Sequence, residues 1–148
     1  MKKIVLIAGT LVAINTVKAQ HLTDAEVPVQ VKEAFTKKYP GAKAEWEKKG
    51  FEYEAEFKLS KTKSSAIFDG KGTFKALEEE VKITALPKTA VDYCAKNFVG
   101  YKLVEAAKIT EATGEVIYEA ELKKGTEEFD ALFSDKGNFI KKSETSTK

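Results

Sequence analysis

The 148 residues suffice for one domain or two very small ones, and a hydrophobic content of 43% is enough to build a core. One cysteine and one histidine exclude an internal disulfide, and they exclude a histidine-based metal centre or Ser/His/Asp triad buried in the domain. All 25 basic residues are lysine, and without the arginine fork that grips phosphates and base edges the composition argues against a nucleic-acid partner.

The chain starts with Met1-Lys2-Lys3, an apolar run from Ile4 to Ile14, and Val17-Lys18-Ala19, which sets small residues at the −3 and −1 positions of a cleavage site. This reads as a signal peptide over residues 1–19, cut to leave Gln20 or, one residue later, His21. The alternative is a membrane anchor, but the apolar run is about half the roughly 20 residues that a spanning helix needs. Removing Lys2, Lys3 and Lys18 takes three positive charges from the formal +2 and leaves −1. The expectation is a secreted or periplasmic protein, not membrane-spanning once the leader is cut.

Thr23-x-x-Glu26 has the form of a capping box, and Pro28 suits a first helical turn. Val31, Ala34, Phe35 and Tyr39 recur at helical spacing until Pro40-Gly41, which predicts a helix over 26–39. A strand over 42–47 and a turn at Lys48-Lys49-Gly50 follow. Phe51 to Leu59 then alternates apolar and charged residues without a break, the period of a strand with one face in a core. Residues 60–64 read as a turn, 65–68 as a short strand, Asp69-Gly70-Lys71-Gly72 as a hairpin turn, and 73–83 as a fourth strand.

The pattern then starts over. Leu86-Pro87 repeats Val27-Pro28, Ala90, Cys94 and Phe98 repeat Val31, Phe35 and Tyr39, and Tyr118-Glu119-Ala120-Glu121-Leu122 repeats Tyr53-Glu54-Ala55-Glu56-Phe57. The offset grows from 59 to 65 along the way, which puts an insertion near Thr110–Gly114. The predicted organisation is a repeat over 20–84, a second over 85–142 and a flexible tail over 143–148. The fold class is α+β: two tandem αββββ repeats forming an antiparallel sheet, helices on one face and the other face open to solvent.

This arrangement resembles the β-lactamase-inhibitor-like, PepSY-like family of secreted bacterial proteins over residues 26–142. The resemblance rests on Val27-Pro28 with Tyr39-Pro40-Gly41, on Phe51-Glu52-Tyr53-Glu54, and on Phe68-Asp69-Gly70-Lys71-Gly72, in an order that occurs twice. It implies the tandem αββββ fold, a location outside the cytoplasm and no catalytic residues. Phe74 and Phe139 stand where such proteins often carry tryptophan. Fold does not give function, so a β-lactamase target is not carried over.

The candidate partner-binding residues are Glu52, Glu54, Glu56, Glu119 and Glu121 on the even face of the organising strand and its repeat, with Trp46, the single tryptophan. Paired carboxylates can also do acid–base work, but that needs a cleft and a raised pKa. The plainer alternative is a solvated strand face. Trp46 fits an interface or a core equally. Cys94 aligns with Phe35 and reads as a buried thiol. The Gly-rich turns precede strands, not helices, and lack the alternating acids of a calcium loop, so they read as hairpins. The expected function is a non-catalytic binding module, inhibitor-like, that meets an unidentified protein partner through the open sheet face as a monomer. The second hypothesis is an envelope protein binding a small ligand or cation through the acidic stripe. No cofactor or metal is expected.

Overall fold

The computed structural model describes residues 20–144, so the leader and the last four residues of the tail lie outside it. The described chain forms two compact units, one running through Lys75 and one from Ala76.

The first unit holds β1 (Gln20–Leu22), a short 3-10 turn at Asp24–Glu26, α1 (Val29–Lys38), β2 (Glu45–Lys49), β3 (Glu52–Leu59) and β4 (Thr62–Asp69). The strands pair antiparallel in chain order. Val27, Val31, Phe35 and Tyr39, four residues apart, form the buried stripe of the helical segment. Phe35 is its centre, with ring centroids 5.5 Å from Trp46, 5.1 Å from Phe57 and 6.4 Å from Phe68. These partners share one sheet face, where Trp46, Ala55 and Ala66 form one cross-strand row.

The capping box exists, but it closes the 3-10 turn: Glu26 accepts the Thr23 N–H at 2.8 Å. Pro28 then stands at the N-cap of α1, which starts three residues later than the periodicity predicts. The first hairpin is also displaced. β2 runs on through Lys48 and Lys49, the turn is Gly50-Phe51, and Phe51 is 94% exposed outside the strand it was expected to open. The turn expected over 60–64 is only Ser60-Lys61, so β4 has eight residues. Both turn residues have positive φ, 50° and 74°, as a two-residue hairpin loop matching the strand twist requires. The double substitution Ser60→Asn with Lys61→Gly removes most of that backbone strain, and a gain of about 1 kcal/mol in urea unfolding is expected. No gain would mean that the strain is absent.

The second unit holds most of β5 (Phe74–Val81), α2 (Lys88–Asn97), β6 (Lys102–Glu111), β7 (Val116–Lys124), β8 (Glu127–Ser134) and β9 (Phe139–Glu144), with a 3-10 turn at Ile83–Ala85 ahead of α2. β5 begins in the first unit, where Phe74 packs 5.8 Å from Phe68, and from Ala76 onward pairs with β6. The insertion is spent on length: β6 has ten residues where β2 has five, and Ala106–Glu111 form the register with β5. The core repeats the first with smaller pieces under the helix: Ala90 and Cys94 of α2 lie over Ala106, Ala120, Leu122, Phe129, Ala131 and Phe133. Tyr93 stacks on Phe139 at 4.6 Å. Burial pushes the Cys94 thiol up to about 11, so it stays protonated.

In both units the N-terminus of the helix docks on the last hairpin turn. Gln30 Nε2 donates to Gly70 O at 2.9 Å, and Thr89 Oγ1 donates to Lys136 O at 2.6 Å. Asp69 organises its turn by accepting from the Lys71 and Thr73 N–H groups, both at 2.9 Å, and these bonds hold its carboxyl below the usual range. Ser134 does the same work in the second unit.

Candidate functional site

The face of the first unit away from α1 carries the predicted glutamates in three cross-strand rows. Across β2, β3 and β4 the rows are Lys49–Glu52–Asp69, Glu47–Glu54–Ile67 and Glu45–Glu56–Ser65. Two rows therefore set carboxylates directly across the β2–β3 ladder, a pairing that costs stability unless something offsets it. Part of the offset is visible. The Lys49 ammonium pairs with Glu54, Ser65 donates its hydroxyl to the other Glu54 oxygen, and His21 Nε2 sits 3.2 Å from Glu47.

This face is not the open one expected. Glu54 is only 3% exposed, and Ser65 and Ile67 beside it on the central strands are equally covered. Glu52 and Glu56 are half-buried and Glu45 is exposed. Desolvation is the largest cause holding Glu56 above the ordinary carboxylate range, with Glu54 and Glu47 adding to it. Desolvation also raises Glu52, with Asp69 adding and Lys75 opposing.

A raised carboxylate pKa in the folded state means a penalty that is full above that pKa and disappears as pH falls to the unfolded value. Glu56→Gln is therefore expected to stabilise the protein at pH 7 by a few tenths to about 1 kcal/mol. The gain should fade as pH is lowered towards the ordinary carboxylate value. A pH-independent difference in urea midpoints would show that charge is not the cause.

Glu119 and Glu121 lie on the corresponding face of the second unit and are also buried, with Glu78 and Asp130. Here the face has an apolar set of its own: Ala107, Ile109, Ile117 and Leu132. Glu105, Glu121 and Asp130 form the row equivalent to Glu45, Glu56 and Ser65, with Glu105 exposed at its end. Trp46 is not part of either acidic face. It lies on the helix side, 6% exposed, edge-on to Phe35. The residues that sequence reasoning missed are Glu45, Glu47 and Lys49. Their signal was the alternation Glu45-Trp46-Glu47, which puts both glutamates opposite the tryptophan. Among the described residues no group of His, Cys, Asp and Glu is arranged to hold a metal ion. No helix there is long and apolar enough to cross a membrane.

Each unit is thus a helix laid on one face of an antiparallel up-and-down sheet with acidic rows on the other, a tandem α+β arrangement. The family described as "Putative beta-lactamase-inhibitor-like, PepSY-like" matches residues 12–62 and 51–141, and the chain belongs to it. Among solved structures, a DUF2874 family protein from Bacteroides uniformis is similar, with a TM-score of 0.70 and 18% identity, covering 80% of this chain and 90% of its own. A protein of Bacteroides eggerthii gives 0.70, 17%, 80% and 88%. One from Bacteroides fragilis, described as BLIP-like, gives 0.63, 19%, 82% and 89%. At these identities the likeness is one of fold. No curated protein matches the sequence.

Proposed function

We propose that this chain is a non-catalytic binding protein of the bacterial envelope, exported by the leader 1–19, that recognises a cationic patch on a protein partner through the acidic face of its strands. One observation carries the reading: the like-charged rows Glu45–Glu56 and Glu47–Glu54. Lys49 pairs with Glu54 and the His21 imidazole lies beside Glu47, while the Glu45–Glu56 row ends in the exposed Glu45, where a partner can meet it. A lysine or arginine brought by a partner is rewarded there twice, by attraction and by relief of repulsion. Glu52, Glu54 and Glu56 take graded parts. Glu56 and Glu52 are partly available, and Glu54 is the buried post that fixes the others. Glu119 and Glu121 do the same behind Glu105 in the second unit. Trp46 acts from behind, by holding β2 against α1. The location is supported by the leader and by the Bacteroides eggerthii protein, described as periplasmic. The inhibitor-like character is supported by the family description and the BLIP-like relative in fold.

The test is capture of envelope and secreted proteins on the immobilised chain, with a Glu45→Gln, Glu56→Gln variant beside it. Glu54 and Glu119 are left unchanged because a substitution at either buried site threatens the fold itself. A protein held by the parent, released by salt and lost on the variant supports the reading. Equal capture by both sinks it. A calcium-dependent rise in melting temperature without protein capture would favour a cation ligand on the same face.

A further inference from the structure

Every feature of β1 points at its first residue. The strand is three residues long, and Gln20, His21 and Leu22 pair with Lys48, Glu47 and Trp46. Gln20 and His21 are exposed. Leu22 is opposite the tryptophan on which α1 rests, and His21 reaches Glu47 of the acidic face. This edge strand is thus a small covering piece for both faces of β2, held only at its margin. A free chain end there is open to stepwise removal by aminopeptidases, and once Gln20 is gone the loss of His21 and Leu22 uncovers Glu47 and Trp46.

We infer that Gln20 is a modification site: once the leader is cut after Ala19, the new terminus closes to pyroglutamate. This rests on the proposed export reading. The chemistry requires no co-reactant. The uncharged α-amine attacks Cδ of its own carboxamide, an N–Cδ bond forms, and the Cδ–Nε2 bond breaks. Nε2 leaves with the amine's proton as ammonia. The product is a five-membered lactam that carries no charge. The structure permits the closure because Gln20 stands at the outer end of an edge strand with its side chain exposed, and its ladder neighbour is Lys48, not a group that traps the amide. Cyclisation removes the ammonium from a terminus beside Lys48, and it leaves no α-amine for an aminopeptidase to grip.

The experiment is intact mass and N-terminal sequencing of the full-length chain expressed with its leader and recovered from the envelope fraction. The expected mass is that of residues 20–148 less one ammonia, with a terminus refractory to Edman degradation until pyroglutamate aminopeptidase opens it. A Gln20→Ala chain should sequence directly and be trimmed through Leu22 by a general aminopeptidase that leaves the parent intact. A parent terminus at Gln20 with a free amine overturns the cyclisation and leaves export standing. A terminus at His21 or an uncleaved chain overturns the inference together with the cleavage site on which it rests.

Discussion

Gly137→Ala is expected to cost about 2–5 kcal/mol, the sum of a left-handed backbone forced on an L residue and of overpacking against α2. Gly137 has φ +79°, and a Cβ there would stand 2.8 Å from Pro87 Cβ and 2.9 Å from the Ala90 nitrogen. Neither neighbour can give way, because both belong to the first turn of a helix whose Ala90 is fully buried. Gly72→Ala should behave alike, since its Cβ would stand 2.5 Å from the Gln30 carbonyl oxygen. Gly114 supplies the control. It has φ +89° with open space around it, so its alanine variant bears only the backbone part, about 1–2 kcal/mol. Urea unfolding of the three variants separates the two contributions. If Gly137→Ala were no worse than Gly114→Ala, the docking of the turn on the helix would be wrong.

Lys49→Met is expected to destabilise by about 2–4 kcal/mol. Removing one member of a buried ion pair leaves the other charge without its partner. Glu54 is 3% exposed and cannot turn to water, although Ser65 still donates to it. The figure is set below the full range for buried pairs because the Lys49 side chain is 19% exposed. A second substitution decides between charge and packing. Lys49→Met with Glu54→Leu removes both charges and keeps the volume, and it should recover most of the loss. Failure to recover would show that Lys49 acts through its packing alone.

Much of this fold is legible in the chain because the two periods are unusually clean. The odd-numbered residues of 53–57 and their repeat at 118–122 assign one face of each central strand, and Val31 with Phe35 assigns the helix stripe that covers it. The sign of the other face is not legible. A glutamate alternating with aromatics reads as solvated, and only the tertiary register brings Lys49 and Ser65 to Glu54 so that it can be covered. In the second unit the warning is present as Ile109, Ile117 and Leu132, apolar residues on the glutamate parity. They are spread over three strands, so no single window shows them. The turn at Ser60-Lys61 is shorter than the polar run 60–64 suggests for a different reason: it adopts a glycine conformation with residues that carry side chains. Phe51 misled because alternation alone cannot say where a turn interrupts it.

The placement of Trp46 decides what an optical experiment on this protein can see. Its indole is buried in the unit that runs through Lys75, and the other unit has tyrosines but no tryptophan. Emission excited at the red edge therefore follows the melting of one half of the chain and is blind to the other, whereas far-ultraviolet dichroism averages both. If the halves come apart at different denaturant concentrations, the two signals will trace separate curves. The probe that leads or lags then names the weaker half without any label being introduced.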